Sequence, residues 1–223
     1  MSYYLPLKRA SLFAISSLSL QNFHLVSNCD SKETPIENET TFNSFDEIEF
    51  KRFRENRIIH INSSINKELA VSIKNCLEQL DNEKNLPIKI IINSNGGEVT
   101  QGLSICDKMN KLKSEVHTQC DGVCASIASV ILANGTEGKR TITPNSTVYI
   151  HEPYNSFGED MTLTIFELNG LLRSLKIQRE QIINTLIKVT RKSRSEIEEL
   201  MKNDTWLTSQ EAIEHQLVDS IEK

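Results

Sequence analysis

The chain has 223 residues, 38% of them apolar and 25% charged, and 25 basic against 30 acidic side chains leave a net charge of −5. That is enough apolar material for one domain of roughly 150–200 residues to close a core without disulfides or metals, and eight Gly and five Pro exclude a collagenous or low-complexity chain. No apolar run nears the roughly 18 residues of a membrane span, and the acidic balance gives no bulk attraction for nucleic acid, so neither a membrane nor a nucleic-acid partner is expected.

The charge is unevenly placed. Residues 1–29 hold Lys8 and Arg9 and no acid, a net +2, and fit either a targeting segment or a disordered tail. Residues 30–49 carry seven acids against Lys32, a net −6, with little apolar content, and read as an acidic flexible lead-in. Residues 50–223 are left near neutral, at −1, and form the expected folded domain.

Within that domain strand-like and helix-like runs alternate. Arg57–Ile61 is a short β-rich run, and 65–80 carries Leu69, Ile73, Cys76, Leu77 and Leu80 at helical spacing. Pro87–Ile92 predicts a buried strand opened by a tolerated proline, and Val99–Leu112 a second helix. Val116–Cys120 reads as a strand and Ala125–Ala133 as a helix of small residues. Short strands follow at Thr141–Thr143 and Ser146–Ile150. A long helix is predicted from about Leu163 to Arg191, with Ile165, Leu168, Leu172, Leu175, Ile182, Leu186 and Val189 along one stripe, and a last helix at Ser209–His215. Strands alternating with crossover helices predict an α/β fold with a parallel sheet.

The five cysteines, Cys29, Cys76, Cys106, Cys120 and Cys124, make no CxxC pair, which fits free thiols in a reducing compartment. The scattered histidines form no HExxH or related metal motif.

Four segments carry candidate chemistry. Asn93-Ser94-Asn95-Gly96-Gly97-Glu98 lies between a strand and a helix, where paired glycines bring backbone amides to a ligand; the plain reading is a tight turn. Gly122 to Ser129 sets Ser126 at a helix start, where free amides favour an oxyanion; the plain reading is an N-cap or small core serine. Cys124 is a rival nucleophile, though a Cys between Val and Ala behaves more often as a small hydrophobe. His151 ends an apolar strand before a proline-bounded loop, and Asp204 precedes the single Trp and the capping sequence Thr208-Ser209-Gln210-Glu211. Plain readings are a structural histidine and a turn carboxylate. Together the segments supply a nucleophile, a base and an acid in an order that by itself decides nothing.

The blocks INSNGGEVTQGLSICDKM (92–109), GVCASIAS (122–129), ANGTEGKRTITPNSTVYIHEP (133–153) and NDTWLTSQEAIEHQLVDSI (203–221) carry a family resemblance. From about residue 50 onward the chain resembles the proteolytic subunit of the Clp protease, a serine peptidase of the crotonase-like superfold. The resemblance implies an α/β fold of repeated β-β-α units with a protruding handle helix. It implies Ser126 as nucleophile, His151 as base, Asp204 as the acid that orients it, and the amides of Gly97 and Ile127 as the oxyanion hole. It further implies unfolded polypeptide substrates, heptameric rings stacked as a tetradecamer, an AAA+ unfoldase partner, and no metal or organic cofactor. A cytoplasmic location is expected, or an organellar or exported one if residues 1–29 are a targeting segment. Alternative readings are a non-catalytic or regulatory ring subunit and an acyl-CoA-processing enzyme of the same superfold. Four departures stand out: Asn95 replaces a proline in the glycine turn, residues 154–162 replace a glycine-rich strand, Lys202-Asn203 replace an acidic–arginine pair, and no axial N-terminal loop is recognisable in residues 30–49.

Overall fold

The computed structural model describes residues 55–156 and 162–222. Five strands, β1 (Ile58–Ile61), β2 (Ile88–Ser94), β3 (Val116–Ala125), β4 (Arg140–Ile142) and β7 (Ser220–Ile221), run in that order as parallel neighbours. Two more, β5 (Thr147–Ile150) and β6 (Thr205–Leu207), extend the sheet sideways: β5 pairs parallel to the far half of β3, and β6 pairs antiparallel to β5. The α/β class with a parallel sheet is therefore as the alternation predicts.

Strand β3, ten residues long, runs past the expected Val116–Cys120 because it serves two neighbours. Thr118–Cys120 pair with β4, and Val123–Ala125 pair with β5. Gly122, at φ 115°, marks the divergence; a Cβ there would lie 2.7 Å from the Asn93 side chain. Its amide donates to Ser146 Oγ at 2.6 Å, so the branch point is satisfied as well as permitted.

Helix α1 (Lys67–Glu83) starts at Asn66, whose side chain accepts from Leu69 N, and buries Leu69, Ala70, Ile73, Cys76, Leu77 and Leu80. Ile65, placed in this helix by periodicity, instead bridges to Gly97 in extended conformation. Arg57 closes the other end of α1: its guanidinium donates to the carbonyls of Leu80, Lys84, Leu86 and Pro87, absorbing acceptors a helix end leaves orphaned. Helices α2 (Val99–Met109), α3 (Ile127–Ala133), α4 (Ile165–Thr190) and α5 (Arg194–Lys202) then pack in succession, each on the one before. The last helix, α6 (Ser209–Glu214), starts with a capping box between Thr208 and Glu211. Helix α5 and strands β6 and β7 are absent from the sequence expectation.

Two features lock the tail. Arg140 is buried and binds Asp219 through Nη2 at 2.6 Å and Nε at 3.1 Å, while Nη1 reaches the carbonyls of Ala133 and Val189. Leu217 and Val218 enter the core beside it. The specific GKR and LVDS blocks are thus the two halves of one buried contact.

Cys106, Cys120 and Cys124 are free and buried, as expected, but Cys76 is disulfide-bonded, so the expectation of free thiols does not extend to it. Among the described residues no helix is long and apolar enough to cross a membrane. The targeting segment and the acidic lead-in lie outside the described residues.

Candidate active site

Ser126 stands between β3 and α3 at φ 57° and ψ −130°, a conformation rarely adopted by a residue with a Cβ. It holds the N-cap position, yet its side chain makes no capping hydrogen bond. Its hydroxyl therefore does not serve as a helix cap, the first of the plain readings. The backbone around it is fixed. Ser126 N donates to Tyr149 O at 2.8 Å, and Ser126 O accepts from Ser129 N and Ser129 Oγ.

The glycine turn packs directly on this junction. A Cβ at Gly96 would lie 2.7 Å from both Ala125 O and Ser126 Cβ and 3.3 Å from Ile127 N. Gly96 and Gly97 take φ of 92° and 150°, and a Cβ at Gly97 would strike the Ile65 backbone at 2.3 Å. The turn is held by Ile65 N donating to Gly96 O and Glu98 N donating to Ile65 O, which bracket the Gly97 amide. Ser94 Oγ accepts from Gly96 N and donates to Ser63 O. Asn95, where a proline was noted as missing, is exposed, and the turn keeps its shape through these bonds. Gly102 of α2 brings the Ile127 side chain close, since a Cβ there would lie 2.2 Å from Ile127 Cγ1. The Gly96–Gly97 turn, Ser126 and the Ile127 amide are thus one packed unit.

Cys124, the rival nucleophile, is fully buried, and burial, with Cys120 adding to it, pushes its thiol far above the ordinary range. A thiol that stays protonated is a poor nucleophile.

His151 follows β5 and is half-buried between two tyrosines, its ring 5.0 Å from that of Tyr149 and 5.3 Å from that of Tyr154. Tyr149 in turn stacks on Trp206 at 4.5 Å. The row exists because residues 149 and 151 share a face of the chain and Tyr149 pairs across strands with Trp206. Sequence reasoning missed this row, though the alternation at 149 and 151 and the single Trp were its signal. Asp204, at φ 48°, is exposed and directly precedes Thr205, the partner of Ile150, so β5–β6 pairing carries His151 and Asp204 on neighbouring strand ends. Parallel pairing of Ala125 with Tyr149 carries Ser126 beside the same strand.

His151 Nδ1 lies 2.6 Å from the carbonyl oxygen of Glu152. A carbonyl only accepts, so Nδ1 donates here, and in the neutral imidazole that leaves Nε2 with its lone pair, the tautomer a general base requires. Arg179 of α4 clamps the Glu152 side chain, its Nε 2.9 Å from each carboxylate oxygen, and its Nη1 reaches Glu198 of α5 at 3.3 Å. Burial works against the Arg179 charge, but Glu152 and Glu198 outweigh it and hold the guanidinium pKa above its ordinary value. Among the described residues no group of three or more His, Cys, Asp or Glu side chains is placed to hold a metal ion.

The family model for Clp protease matches residues 43–223, a span that holds every residue of this site. The chain belongs to the Clp protease family. It is 33% identical over 168 residues, 74% of its length, to the ATP-dependent Clp protease proteolytic subunit 3, chloroplastic, of Arabidopsis thaliana. The match covers 52% of that relative, so this family member spans about half the length of the protein it matches.

Proposed function

We propose that the chain is a serine endopeptidase, the proteolytic subunit of an ATP-dependent Clp-type protease that cuts unfolded polypeptides to short peptides. The observation that carries the reading is Ser126: a strained, half-exposed serine whose hydroxyl does no capping, packed on a glycine turn and beside the strand that ends in His151. In this reading His151 Nε2 takes the Ser126 proton as Oγ attacks the scissile carbonyl. Amides of Gly97 and Ile127 receive the oxyanion, each donor worth about 3–4 kcal/mol in comparable sites. The proton passes to the leaving amine, and water then repeats the cycle on the acyl-enzyme. Asp204, from the neighbouring strand end, would act on the imidazolium through its charge, since Nδ1 is held by the Glu152 carbonyl.

Family membership further supports assembly. Helix α4 buries Ile182, Ile183 and Leu186 in its second half but exposes Ile165 (81%), Phe166 (86%) and Leu168 (56%) in its first. A projecting apolar half of this kind fits the handle of a heptameric ring that stacks on a second ring. An AAA+ unfoldase is the partner this reading requires, since the chain has no nucleotide motif of its own. The relative is named as chloroplastic, and residues 1–29 are acid-free with a net +2, which together favour an organelle over the cytoplasm.

A non-catalytic or regulatory ring subunit is the second reading, and one contact favours it. His151 Nδ1 is held by a neutral carbonyl, which stabilises an imidazolium less than a carboxylate would. Hydrolysis of a fluorogenic peptide by the purified full chain separates the two. Turnover that disappears in Ser126→Ala supports the peptidase, and an assembled but inert wild-type ring supports the regulatory subunit.

A further inference from the structure

The base of the proposed triad is held from behind by groups outside the triad. Glu152 follows His151 directly and plays two parts: its main-chain carbonyl accepts from His151 Nδ1, and its carboxylate receives Arg179 Nε on both oxygens at 2.9 Å. Arg179 also reaches Glu198, on the helix that ends just before Asp204, and Glu198 accepts from Arg194 Nε at 3.1 Å. Arg194 in turn binds Glu180. One guanidinium therefore ties the segment that bears the base to the helix that leads to the acid.

The energetics separate this clamp from an ordinary stabilising ion pair. The Arg179 and Glu152 side chains are 30% and 37% exposed. Pairs that open to water contribute little to folding. One Nε–H shared between two carboxylate oxygens, with Nη1 on Glu198, nevertheless ties Glu152 to one place on α4, beside the carbonyl that faces the imidazole N–H.

We infer that Arg179 and Glu152 form a positioning clamp: together they aim the Glu152 carbonyl at His151 Nδ1 and so keep Nε2 unprotonated and turned to Ser126. Neither residue touches the reacting atoms. The inference rests on the peptidase reading for its effect on turnover, but the tautomer of His151 is measurable without turnover.

The test uses the full chain with 15N-labelled histidine, at a pH alkaline to imidazole titration. Magic-angle-spinning 15N spectra resolve the protonated and bare ring nitrogens, and His151→Gln identifies which resonances belong to His151. The wild type should show His151 with a protonated Nδ1 and a bare Nε2. Arg179→Met and Glu152→Ala should each give a mixture of tautomers while the melting temperature stays within a few degrees. With a fluorogenic peptide, each should lower kcat by about ten- to a hundredfold, the range for small misplacement of a catalytic group, and leave KM within about twofold. Arg179→Lys should recover part of the loss, and the double variant should be no worse than the poorer single, because the two residues act as one unit. Unchanged His151 resonances in both single variants would overturn the clamp, as would losses that multiply in the double variant. Tautomer mixing in the variants of a wild type without turnover would leave the clamp standing and remove the peptidase reading.

Discussion

The serine side of the site and the histidine–aspartate side are built differently. Ser126 sits on the core: Ala125, Ile127, Ala128 and Gly96 around it are buried, and its two flanking elements are a central strand and an apolar helix. His151 and Asp204 sit where the sheet runs out, on a two-strand extension whose aromatic row includes Trp206 at 58% exposure. Strain at Ser126 is sustained because close packing leaves it no alternative. Orientation at His151 depends instead on hydrogen bonds and on a partly solvated ion pair. The same contrast holds for two arginine–carboxylate pairs: Arg140–Asp219 is interior, and Arg179–Glu152 is a third open to water. On the proposed reading, a rigid nucleophile works with an adjustable base, an arrangement that assembly or substrate would tune.

Substitutions sharpen that contrast, the largest effect first. Ser126→Ala should abolish peptide hydrolysis, a loss of at least about a thousandfold, while assembly by mass stays intact; Cys124→Ser should keep most activity. A dead Cys124→Ser beside an active Ser126→Ala would reverse the assignment. Arg140→Met leaves the half-buried Asp219 without its partner and should cost about 2–3 kcal/mol in chemical denaturation. A loss of under about 1 kcal/mol would show that the interior pair is no firmer than the exposed one.

Asp219 also gives this pair a pH signature. Burial alone would raise its carboxyl pKa, but hydrogen bonds from Arg140 outweigh burial and hold the pKa below the ordinary value. A depressed carboxyl contributes stability above its unfolded pKa of about 3.9, and that contribution is lost as pH falls through the folded value. The melting temperature should therefore drop in acid below about pH 4, and less steeply in Asp219→Asn.

Gly96→Ala comes next. Its Cβ would meet Ala125 O and Ser126 Cβ at 2.7 Å in a left-handed backbone, so about 1–3 kcal/mol of stability should go together with activity. Smallest is Trp206→Ala on the open side, where loss of one exposed stacking partner should cost about 1 kcal/mol or less. A larger cost there than at Gly96 would show that the open side is held more firmly than the core side.

How much of this was legible in the sequence follows from the same division. The core side has long apolar runs with clear periods, so β1, β2, α1 and α4 were placed within a few residues, and the Ser126 junction was visible as a strand meeting a small-residue helix. Outer elements were missed for physical reasons. Helix α5 is nine residues long and buries only Ile197, Leu200 and Met201, so its signal was the Ser193–Glu196 capping box rather than a stripe. Strands β6 and β7 have three and two residues and are defined by their partners, not by any period. The long stripe on α4 was read correctly as apolar, but a stripe cannot tell which half meets this chain's core. The Glu152–Arg179 clamp joins residues 27 apart on different elements and left no local mark.

The reactivity of Ser126 can be read directly by chemical labelling. The full chain is treated with a fluorophosphonate at neutral pH, and the adduct is located by peptide mass mapping. A single adduct on Ser126, absent when the protein is first unfolded, is the expected result. No adduct on the folded protein, or one on another residue, would contradict it.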